Sequence, residues 1–561
     1  MGRPDAQMTT SAAQTRPARW PLAVLALAML ACAVLVMVLT RRDNLSQDEL
    51  YFLLYRGGTA PRTFLEPYNE HIMVVPLLVY KALWRIFGVA DYWPFRLTVV
   101  VLHLTCVGLL YAVARRQLGA VYALVPALAL LFLGTAWEVV LQLSLVVFLL
   151  PLAGGLVMLL ALARDDRRGD WVACAALLLA LLSGSLGVVF ALGGTILIAL
   201  GGDARGRLLR VVAGPLAVWI LWRLAYGDGR LADHSADVPE LVARYAASTV
   251  AGVAGFSYGS APALWLLLTF ALLAAAVAAV ARRRQGWQLL LAVLVMSFVY
   301  WLLIALFRPP LDPLSSRYLY PAGAFVLLLA GGVVGRRALT PAGAGAAAAL
   351  AVLLVASQIG DLRHGADRLR DHGEFVSAGL GALELARDQV RPGFRPEPVR
   401  APDVVAARYF PAVAAYGSPA DSEAELRGRP ADARQAADIV SMRALRVALT
   451  REGAAGAGPC TRVPDPVDME LPAGGLVIRN RGDAPVTVKV RRFGDAFAVG
   501  APGRAKFPLS LFRPLLEAPE LAVPRGEDLR LVVPPDRAQA PWRVGMRGGG
   551  RTLACTAAPG Q

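Results

Sequence analysis

The stretch PLAVLALAMLACAVLVMVLTRRDNLSQDELYF, residues 21–52, contains the two features that govern the fold. Its first part, Pro21–Thr40, is almost entirely apolar, and roughly 20 such residues form a helix long enough to cross a bilayer. The run exceeds the roughly 7–15 apolar residues of a signal peptide and no clear cleavage site follows it. We therefore interpret it as a retained membrane anchor. The polar segment behind it carries two adjacent acids, Asp48 and Glu49.

The composition agrees with a membrane protein. Of the 561 residues, 56% are hydrophobic and 17% are charged, and the mean hydropathy is +0.52. Soluble domains average roughly 25% charged residues, so the composition argues against an ordinary soluble enzyme and against a disordered chain. The formal net charge of +16 would suggest nucleic acid in a soluble chain. Here the arginines cluster in short segments between apolar runs, which is the positive-inside pattern, so we predict a bilayer partner and no nucleic acid.

Hydropathy predicts a polytopic α-helical domain with about eleven spans. The segment Trp171–Leu200 fits either two spans or one re-entrant pair. The predicted runs are Pro21–Thr40, Phe95–Ala114, Val121–Leu133, Val139–Ala163, Trp171–Leu182, Leu186–Leu200, Leu208–Tyr226, Pro262–Ala281, Leu289–Phe307, Tyr320–Val334 and Ala342–Ser357.

Alternate loops hold the arginine clusters, which orients the domain in a bacterial-type plasma membrane. The cytoplasmic loops are those with residues 115–116, 164–168, 205–210, 282–284 and 336–337, and the N-terminus shares their side. With an odd number of spans, the C-terminal tail lies outside the cell; Arg41 and Arg42 are exceptions to the rule. We predict a transmembrane domain over residues 1–358, a mainly helical extracytoplasmic region over 359–459, and a β-rich extracytoplasmic domain over 460–561.

Residues His71–Gly88 form a different kind of segment. Apolar residues recur near helical spacing and alternate with Lys81 and Arg85. This pattern predicts an amphipathic helix on the outer leaflet. The alternative is one more spanning helix, which is disfavoured because the two cations would be costly in hydrocarbon.

The tail changes character along its length. Asp361–Val390 and Glu423–Arg451 have helical periodicity, whereas the segments at 475–479 and 486–491 alternate with period two and predict a hairpin. Further strands are expected at 529–533 and 542–546. We expect a small β-sandwich closed by a disulfide between Cys460 and Cys555, which requires an oxidising compartment. The remaining cysteines lie in apolar runs and are interpreted as inert core residues: Cys32, Cys106 and Cys174.

The acid pair is the most informative polar feature. A carboxylate at the mouth of a membrane domain can meet a lipid-linked head group and accept a proton from an incoming hydroxyl, while a second acid binds sugar hydroxyls or a cation. The structural alternative is a capping box, with Ser46 as the N-cap and Glu49 three residues later. The two interpretations are compatible.

An Asp-Glu pair after the first membrane helix, followed by an amphipathic surface helix, resembles the GT-C superfamily of polytopic glycosyltransferases that use polyprenyl-phosphate sugars. Its members include protein O-mannosyltransferases, aminoarabinose transferases and arabinofuranosyltransferases. The resemblance covers roughly residues 20–357 and implies that Asp48 and Glu49 are catalytic, with Glu138 as the acid of the second outer loop. The Arg317-Tyr318 pair that enters a late helix is similar to one in many of these enzymes.

The planar guanidinium of Arg317 can bind two oxygens of a lipid phosphate. The alternative is an arginine that lies at the headgroup level and meets any lipid phosphate. His71 is a candidate to bind the donor phosphate or to orient an acid; the alternative is a surface histidine without a role. Tyr318 is a candidate to assist. Glu138 follows Trp137, so the alternative to a catalytic role is an acid that lies at the membrane interface beside a tryptophan.

We predict a membrane glycosyltransferase that moves a sugar from a polyprenyl-phosphate donor to a cell-envelope glycan, lipid or protein on the outer face. No clear metal-ligand set occurs in the sequence, although a divalent cation is compatible with the acids. A lipid or glycan transporter or flippase, or a non-catalytic envelope-assembly scaffold, is the alternative. Transporters often carry ionisable residues near the bilayer midplane and broken helices in repeated halves, neither of which is evident here.

Overall fold

The structure is a computed structural model that describes residues 20–45, 47–227, 237–283, 285–308, 315–452, 454, 457–472, 474–495 and 521–557. A large helical domain is followed by a smaller one built mainly of strands. The helices are α1 (Trp20–Leu39), α2 (Gln47–Tyr55), α3 (Pro61–Leu65), α4 (Val74–Phe87), α5 (Trp93–Leu118), α6 (Leu124–Leu131), α7 (Trp137–Leu141), α8 (Val146–Leu162), α9 (Arg167–Ser183), α10 (Leu186–Ala199), α11 (Ala204–Leu208), α12 (Gly214–Tyr226), α13 (Val238–Val253), α14 (Pro262–Arg282), α15 (Trp287–Phe307), α16 (Ser316–Val334), α17 (Pro341–Leu385), α18 (Ala406–Tyr416), α19 (Glu423–Gly428) and α20 (Ala431–Leu445).

Within the described residues, eight helical segments are long and apolar enough to cross a membrane, and α6 with the segment Gly134–Leu141 forms a ninth if that pair, bent by 43°, is one span. The predicted total of about eleven is therefore not confirmed. The two other predicted runs form α9 and α10, which have 17 and 14 residues. At about 1.5 Å per residue, α10 is only about 21 Å long, shorter than a hydrocarbon core of about 30 Å. Both helices pack against α8 instead of forming long independent spans.

Helix α4 has 14 residues, too few for a span at the same rise per residue. Its outward face exposes Leu78, Ile86 and Phe87, whereas Lys81 is buried and donates to the carbonyl oxygen of Gly58. The ammonium of Lys81 also lies 4.4 Å from the centre of the Phe64 ring. The length of α4 therefore argues against the spanning alternative, and its exposed apolar residues fit the predicted helix at the membrane surface.

Residues 40–92, which follow α1 and precede α5, lie at one end of the helical domain, and we call this end the site face. The tail contacts the same face. The Tyr55 hydroxyl donates to the carbonyl oxygen of Asp403 (3.0 Å), and the Val89 amide donates to that of Tyr416 (2.8 Å). Gly88 is required here because its φ is +72° and a Cβ atom would lie 2.5 Å from the Tyr416 carbonyl oxygen. The acid pair and the tail therefore share one face.

Helix α17 is the rigid link between membrane and tail. It runs unbroken for 45 residues, or about 68 Å, straight through the predicted boundary at 358–359. The side chain of Gln358, in this helix, accepts a hydrogen bond from the Thr135 amide (3.0 Å) and donates one to the Gly252 carbonyl oxygen (2.7 Å). Gly134 and Gly365 allow this close approach. The membrane part of α17 thereby fixes the segment that leads into α7.

The tail contains two antiparallel sheets whose apolar side chains share one hydrophobic core. The first sheet has the order β1-β7-β4-β9-β2 and the second β3-β8-β5-β6. The first strand lies before residue 460, so the β-rich unit begins earlier than predicted. The strands are β1 (Ala448–Thr450), β2 (Cys460–Val463), β3 (Val467–Glu470), β4 (Leu476–Asn480), β5 (Val486–Arg491), β6 (Leu521–Val523), β7 (Asp528–Val532), β8 (Arg543–Arg547) and β9 (Thr552–Thr556).

The predicted hairpin of β4 and β5 is wrong, because the two strands belong to different sheets. The buried Asn480 side chain redirects the chain between them by donating to the carbonyl oxygens of Ala484 (2.8 Å) and Val523 (3.0 Å). The alternation is real, because both strands contribute every second side chain to the same hydrophobic core: Leu476 and Ile478 from β4, and Val486, Val488 and Val490 from β5. The predicted strands at 529–533 and 542–546 are confirmed as β7 and β8.

The predicted Cys460–Cys555 disulfide is confirmed, and it joins β2 to β9 across directly paired positions. Cys32, Cys106 and Cys174 are free thiols, the first two of them buried.

Substituting Gly134→Ala should destabilise the protein by about 1–3 kcal/mol. The new Cβ would clash with main-chain atoms of α17, which cannot move aside as a side chain could. It would lie 1.9 Å from the Gln358 carbonyl oxygen. Gly108→Ala, in α5, is the matched control, since no atom lies within 4 Å of its Cβ position. Thermal unfolding in detergent measures both variants. Equal melting temperatures would contradict the close packing of α17 described above.

Candidate active site

Asp48 and Glu49 lie in the first turn of α2, where acids interact favourably with the helix dipole. Asp48 is partly buried, and the Tyr68 hydroxyl donates to its Oδ1 (2.6 Å). Burial and the Asp48 charge raise the pKa of Tyr68 above its usual range, so the phenol stays protonated and remains a donor. Oδ2 of Asp48 accepts no hydrogen bond from the part of the chain that the structure describes. Ser46, the predicted N-cap, lies outside the described residues.

Glu49 is fully buried and faces the opposite way. The Tyr92 hydroxyl donates to its Oε1 (2.7 Å), which ties α2 to the beginning of α5. Burial and the Glu49 charge raise the pKa of Tyr92 well above its usual value. The two adjacent acids therefore differ in accessibility: Asp48 is oriented toward the loop and Glu49 toward the helix packing.

The loop that carries Tyr68 is held by a buried cation. Arg56, 4% exposed, donates to the carbonyl oxygens of Thr63 (3.1 Å), Glu66 (3.2 Å) and Pro67 (3.0 Å). Arginine suits this role because its planar fork presents several donors at fixed angles. The position of the Asp48 carboxylate thus depends on Arg56 through Tyr68.

Glu138 and Arg317 form an ion pair, Oε1 to guanidinium 3.0 Å. The Ser316 hydroxyl (2.6 Å) and the Arg317 amide (3.0 Å) also donate to Glu138 Oε2. The acid therefore caps the beginning of α16, where the helix dipole favours an anion. Gly365 in α17 makes this possible, since any Cβ there would overlap the ring of Trp137 next to Glu138. Arg317 is 40% exposed and Glu138 is 15% exposed.

Each ring nitrogen of His71 is bonded to a side chain from a distant part of the chain. Its Nε2 accepts from the Arg308 guanidinium (2.8 Å), so its Nδ1 carries the proton and lies 2.7 Å from the Ser185 hydroxyl oxygen. Burial and the Arg308 cation lower the pKa of His71 to about 3. The imidazole is therefore neutral at physiological pH and serves to position Arg308.

The predicted site residues group into neighbouring clusters at the site face. Asp48 lies close enough to Arg317 for a direct electrostatic interaction, which connects the Asp48 and Glu138 clusters. Tyr318, next to Arg317, contacts the Phe148 ring edge-to-face, and its carbonyl oxygen accepts from Tyr300 (3.3 Å). His103, by contrast, is buried within α5 and bonds to Tyr320 (2.6 Å) and to the Leu131 carbonyl oxygen (3.0 Å).

Two residues with functional potential were missed in the sequence. Arg308 follows a long apolar helix, where an arginine is usually a membrane-boundary residue; only its contact with His71, 237 positions away, reveals it. Asp43 stands directly after Arg41 and Arg42 and was not among the predicted site residues. Its signal was available, because it is a third acid within six positions of Asp48 and Glu49.

Asp43 is only 8% exposed, and neither carboxylate oxygen has a hydrogen-bond partner among the described residues. It lines a very small cavity of about 10 Å³ together with Tyr92, Gln142 and His372. Burial raises the pKa of Asp43 to about 8, opposed by the charges of Arg96 and Arg370 and reinforced by Glu49. Asp43 therefore carries a proton across much of the neutral range.

Among the described residues, no group of three or more His, Cys, Asp or Glu side chains is placed to hold a metal ion. The acids at the site face are instead bonded to phenols, hydroxyls and a guanidinium.

No family model and no curated protein matches the chain. Two solved structures are similar to it, both crystal structures of ArnT from Cupriavidus metallidurans, an aminoarabinose transferase of the GT-C class. The structure bound to undecaprenyl phosphate has 16% identity and a TM-score of 0.42, covering 67% of this chain and 82% of that one. The apo structure has 18% identity and a TM-score of 0.44, covering 66% and 81%. At these scores the similarity assigns neither an activity nor residue roles to this chain.

Asp43→Asn should stabilise the protein at high pH by about 1–3 kcal/mol, since it removes a buried, unpartnered charge. The folded state holds the Asp43 proton up to about pH 8, whereas the unfolded state releases it near 3.8. Over this range the unfolded state binds fewer protons, so this group lowers stability as pH rises. Melting temperatures of the variant and the wild type should agree near pH 4 and diverge by pH 9.

Asp91→Asn provides the control for the Asp43 experiment, because Asp91 is an exposed acid on the same face. It should leave the pH dependence of melting unchanged. A divergence of the same size in the Asp91 variant, or none in the Asp43 variant, would contradict the assignment of a buried proton to Asp43.

Proposed function

We propose that the protein transfers a sugar from a polyprenyl-phosphate donor to a hydroxyl of a cell-envelope acceptor at the site face, on the outer side of the membrane. The observation that carries the proposal is the Asp48 carboxylate. One of its oxygens is fixed by Tyr68, the other takes no bond from the described residues, and a guanidinium lies within electrostatic range. A carboxylate in this setting is suited to accept a proton from an alcohol.

In the proposed step, the acceptor oxygen attacks the anomeric carbon of the donor sugar and loses its proton to Asp48. The bond between the anomeric carbon and the phosphate oxygen breaks, and polyprenyl phosphate leaves with the bonding electron pair. The Tyr68 hydroxyl keeps the carboxylate oriented before the transfer. Negative charge grows on the phosphate as the bond breaks, so fixed cations near it lower the barrier.

Arg308 is the better candidate for the donor phosphate. The charge of Arg317 is compensated by Glu138, with a separation of 3.0 Å. Arg308 donates to the neutral His71 and to the carbonyl oxygen of Asn69 (3.2 Å), and it pairs with no carboxylate among the described residues. Its uncompensated charge is therefore available to a phosphate, while Arg317 contributes at the edge of the site through its exposed atoms.

The other predicted residues take supporting roles in this proposal. Glu49, fully buried on Tyr92, holds α2 in place and does not contact substrate. Glu138 positions Arg317 and the beginning of α16, and His71 positions Arg308. Tyr318, which follows Arg317, packs against the Phe148 ring. The tail, which contacts the site face through Asp403 and Tyr416, braces the first outer loop and offers its surface to the acceptor.

A transporter or flippase is the second candidate, and the distribution of charge speaks against it. Up to residue 358, Asp, Glu, Lys and Arg in the described part of the long apolar helices lie only near helix ends, such as Arg96 and Arg116 in α5. The charged residues of α17 begin at Asp361, in the half of the helix that leads into the tail. His103, in the middle of α5, bonds through both ring nitrogens. Transporters place ionisable groups along a pathway through the midplane.

Asp48→Asn should lower sugar transfer by about 100-fold or more, the usual contribution of a general base. Asparagine can still accept the Tyr68 hydrogen bond, so expression and melting temperature should be unchanged. The assay is turnover of radiolabelled polyprenyl-phosphate sugars in proteoliposomes, with Asp91→Asn as the control. Full activity of the Asp48 variant would rule out the proposed base. Transbilayer movement of label without a new glycosidic bond would favour the flippase.

Arg308→Gln should weaken binding of undecaprenyl phosphate by about tenfold or more, since a charge-assisted contact is lost, and Arg308→Lys should restore part of it. Arg317→Gln is the comparison: it leaves Glu138 without its counterion, so its main effect should be a lower melting temperature. Titration in detergent, followed by tryptophan fluorescence, measures the affinity. If both Arg308 variants bind as the wild type does, the phosphate is held elsewhere.

A further inference from the structure

A second cavity lies at the opposite end of the helical domain from Asp48. Helix α5 begins beside Glu49 and ends about 39 Å away at Leu118, just after Arg115 and Arg116. Near that end, four helices leave a partly open cavity of about 160 Å³. Its walls are almost wholly aliphatic and come from α5, α8, α10 and α15: Val113, Leu159, Leu160, Leu162, Leu197 and Leu289.

Two arginines border this cavity, and they differ in their partners. Arg207 is compensated, since it contacts Asp165 (2.6 Å) and Asp170 (2.9 Å). Arg116 is exposed, donates to the carbonyl oxygen of Leu160 (3.3 Å) and pairs with no carboxylate in the described ranges. The cavity therefore has an apolar interior and one uncompensated cation at its edge.

An apolar cavity of this size does not hold water well. Cavities of about 150 Å³ lined by aliphatic side chains stay dry and accept apolar ligands. In a bilayer the available apolar ligand is a lipid chain, and an arginine at the mouth selects an anionic head group by charge. The surrounding loops strengthen this selection because the arginine-rich segments at 115–116, 205–210 and 336–337 share this side by the loop-charge pattern.

The geometry points to a binding site for an anionic glycerophospholipid, with a segment of one acyl chain in the cavity and the phosphodiester at Arg116. The site is independent of the transfer reaction, since it lies on the other side of the membrane from Asp48. A lipid bound there would fill the space between α5, α8, α10 and α15 and so stabilise the helical domain.

The test is native mass spectrometry of the full-length protein in detergent, titrated with dioleoyl-phosphatidylglycerol or dioleoyl-phosphatidylcholine. The wild type should retain phosphatidylglycerol at least fivefold better. Arg116→Gln should abolish this preference, whereas Arg115→Gln, its exposed neighbour that does not line the cavity, should keep it. Equal loss in both variants would indicate general attraction by a basic surface and would overturn the site.

A second variant tests the cavity itself. Ala163→Phe places a ring at an exposed wall position, so it should block the acyl chain without disturbing the packed helices. Retained binding in this variant would overturn the proposal, as would equal binding of glycerol phosphate, which has the charge without the chain. Melting temperatures measured without added lipid show whether each variant is folded. If Ala163→Phe does not fold, Leu160→Phe provides the same test.

Discussion

The arrangement of the site face depends on one constraint: a carboxylate at a membrane boundary must find a partner or keep its proton, as Asp43 does, because leaving its charge buried and unpaired is costly. Each predicted acid meets this requirement differently. Asp48 takes a phenol, Glu49 takes another phenol in a fully buried position, and Glu138 takes a guanidinium. These partners tie α2, α5 and α16 together. The hydrogen bonds that stabilise the acids are therefore also the ones that fix the geometry of the site.

Two contacts between distant parts of the chain hold these acids and their partners in position. Arg56 holds the loop that presents Tyr68, and α17 presses its backbone against Gly134 just before Glu138. Because α17 continues into the tail without a break, a displacement of the tail along this helix would reach the Glu138 cluster directly. The hydrogen bonds of Tyr55 and Val89 to the tail add a second connection. The tail and the membrane site are thus mechanically coupled at two points.

Much of this architecture could be predicted from sequence because it depends on local patterns. Apolar length predicted the long helices, the position of Asp48 and Glu49 predicted two acids at the boundary, and period-two alternation predicted β7 and β8. The alternation could not say which strands pair, so the hairpin of β4 and β5 was wrong. Hydropathy counted α9 and α10 as spans, whereas in the structure they have 17 and 14 residues and pack against α8, so the total of about eleven is not confirmed.

The partners of the charged groups could not be predicted, because each lies far away in sequence. Arg317 is 179 positions from Glu138, and Arg308 is 237 positions from His71. The partner of each arginine determines how much charge that arginine can offer to a phosphate. An arginine already neutralised at 3.0 Å has little net charge to offer a phosphate, whereas one held by a neutral imidazole keeps its full charge. A pKa of His71 lowered to about 3 is therefore functionally consistent, since a protonated imidazole would repel the guanidinium that it positions.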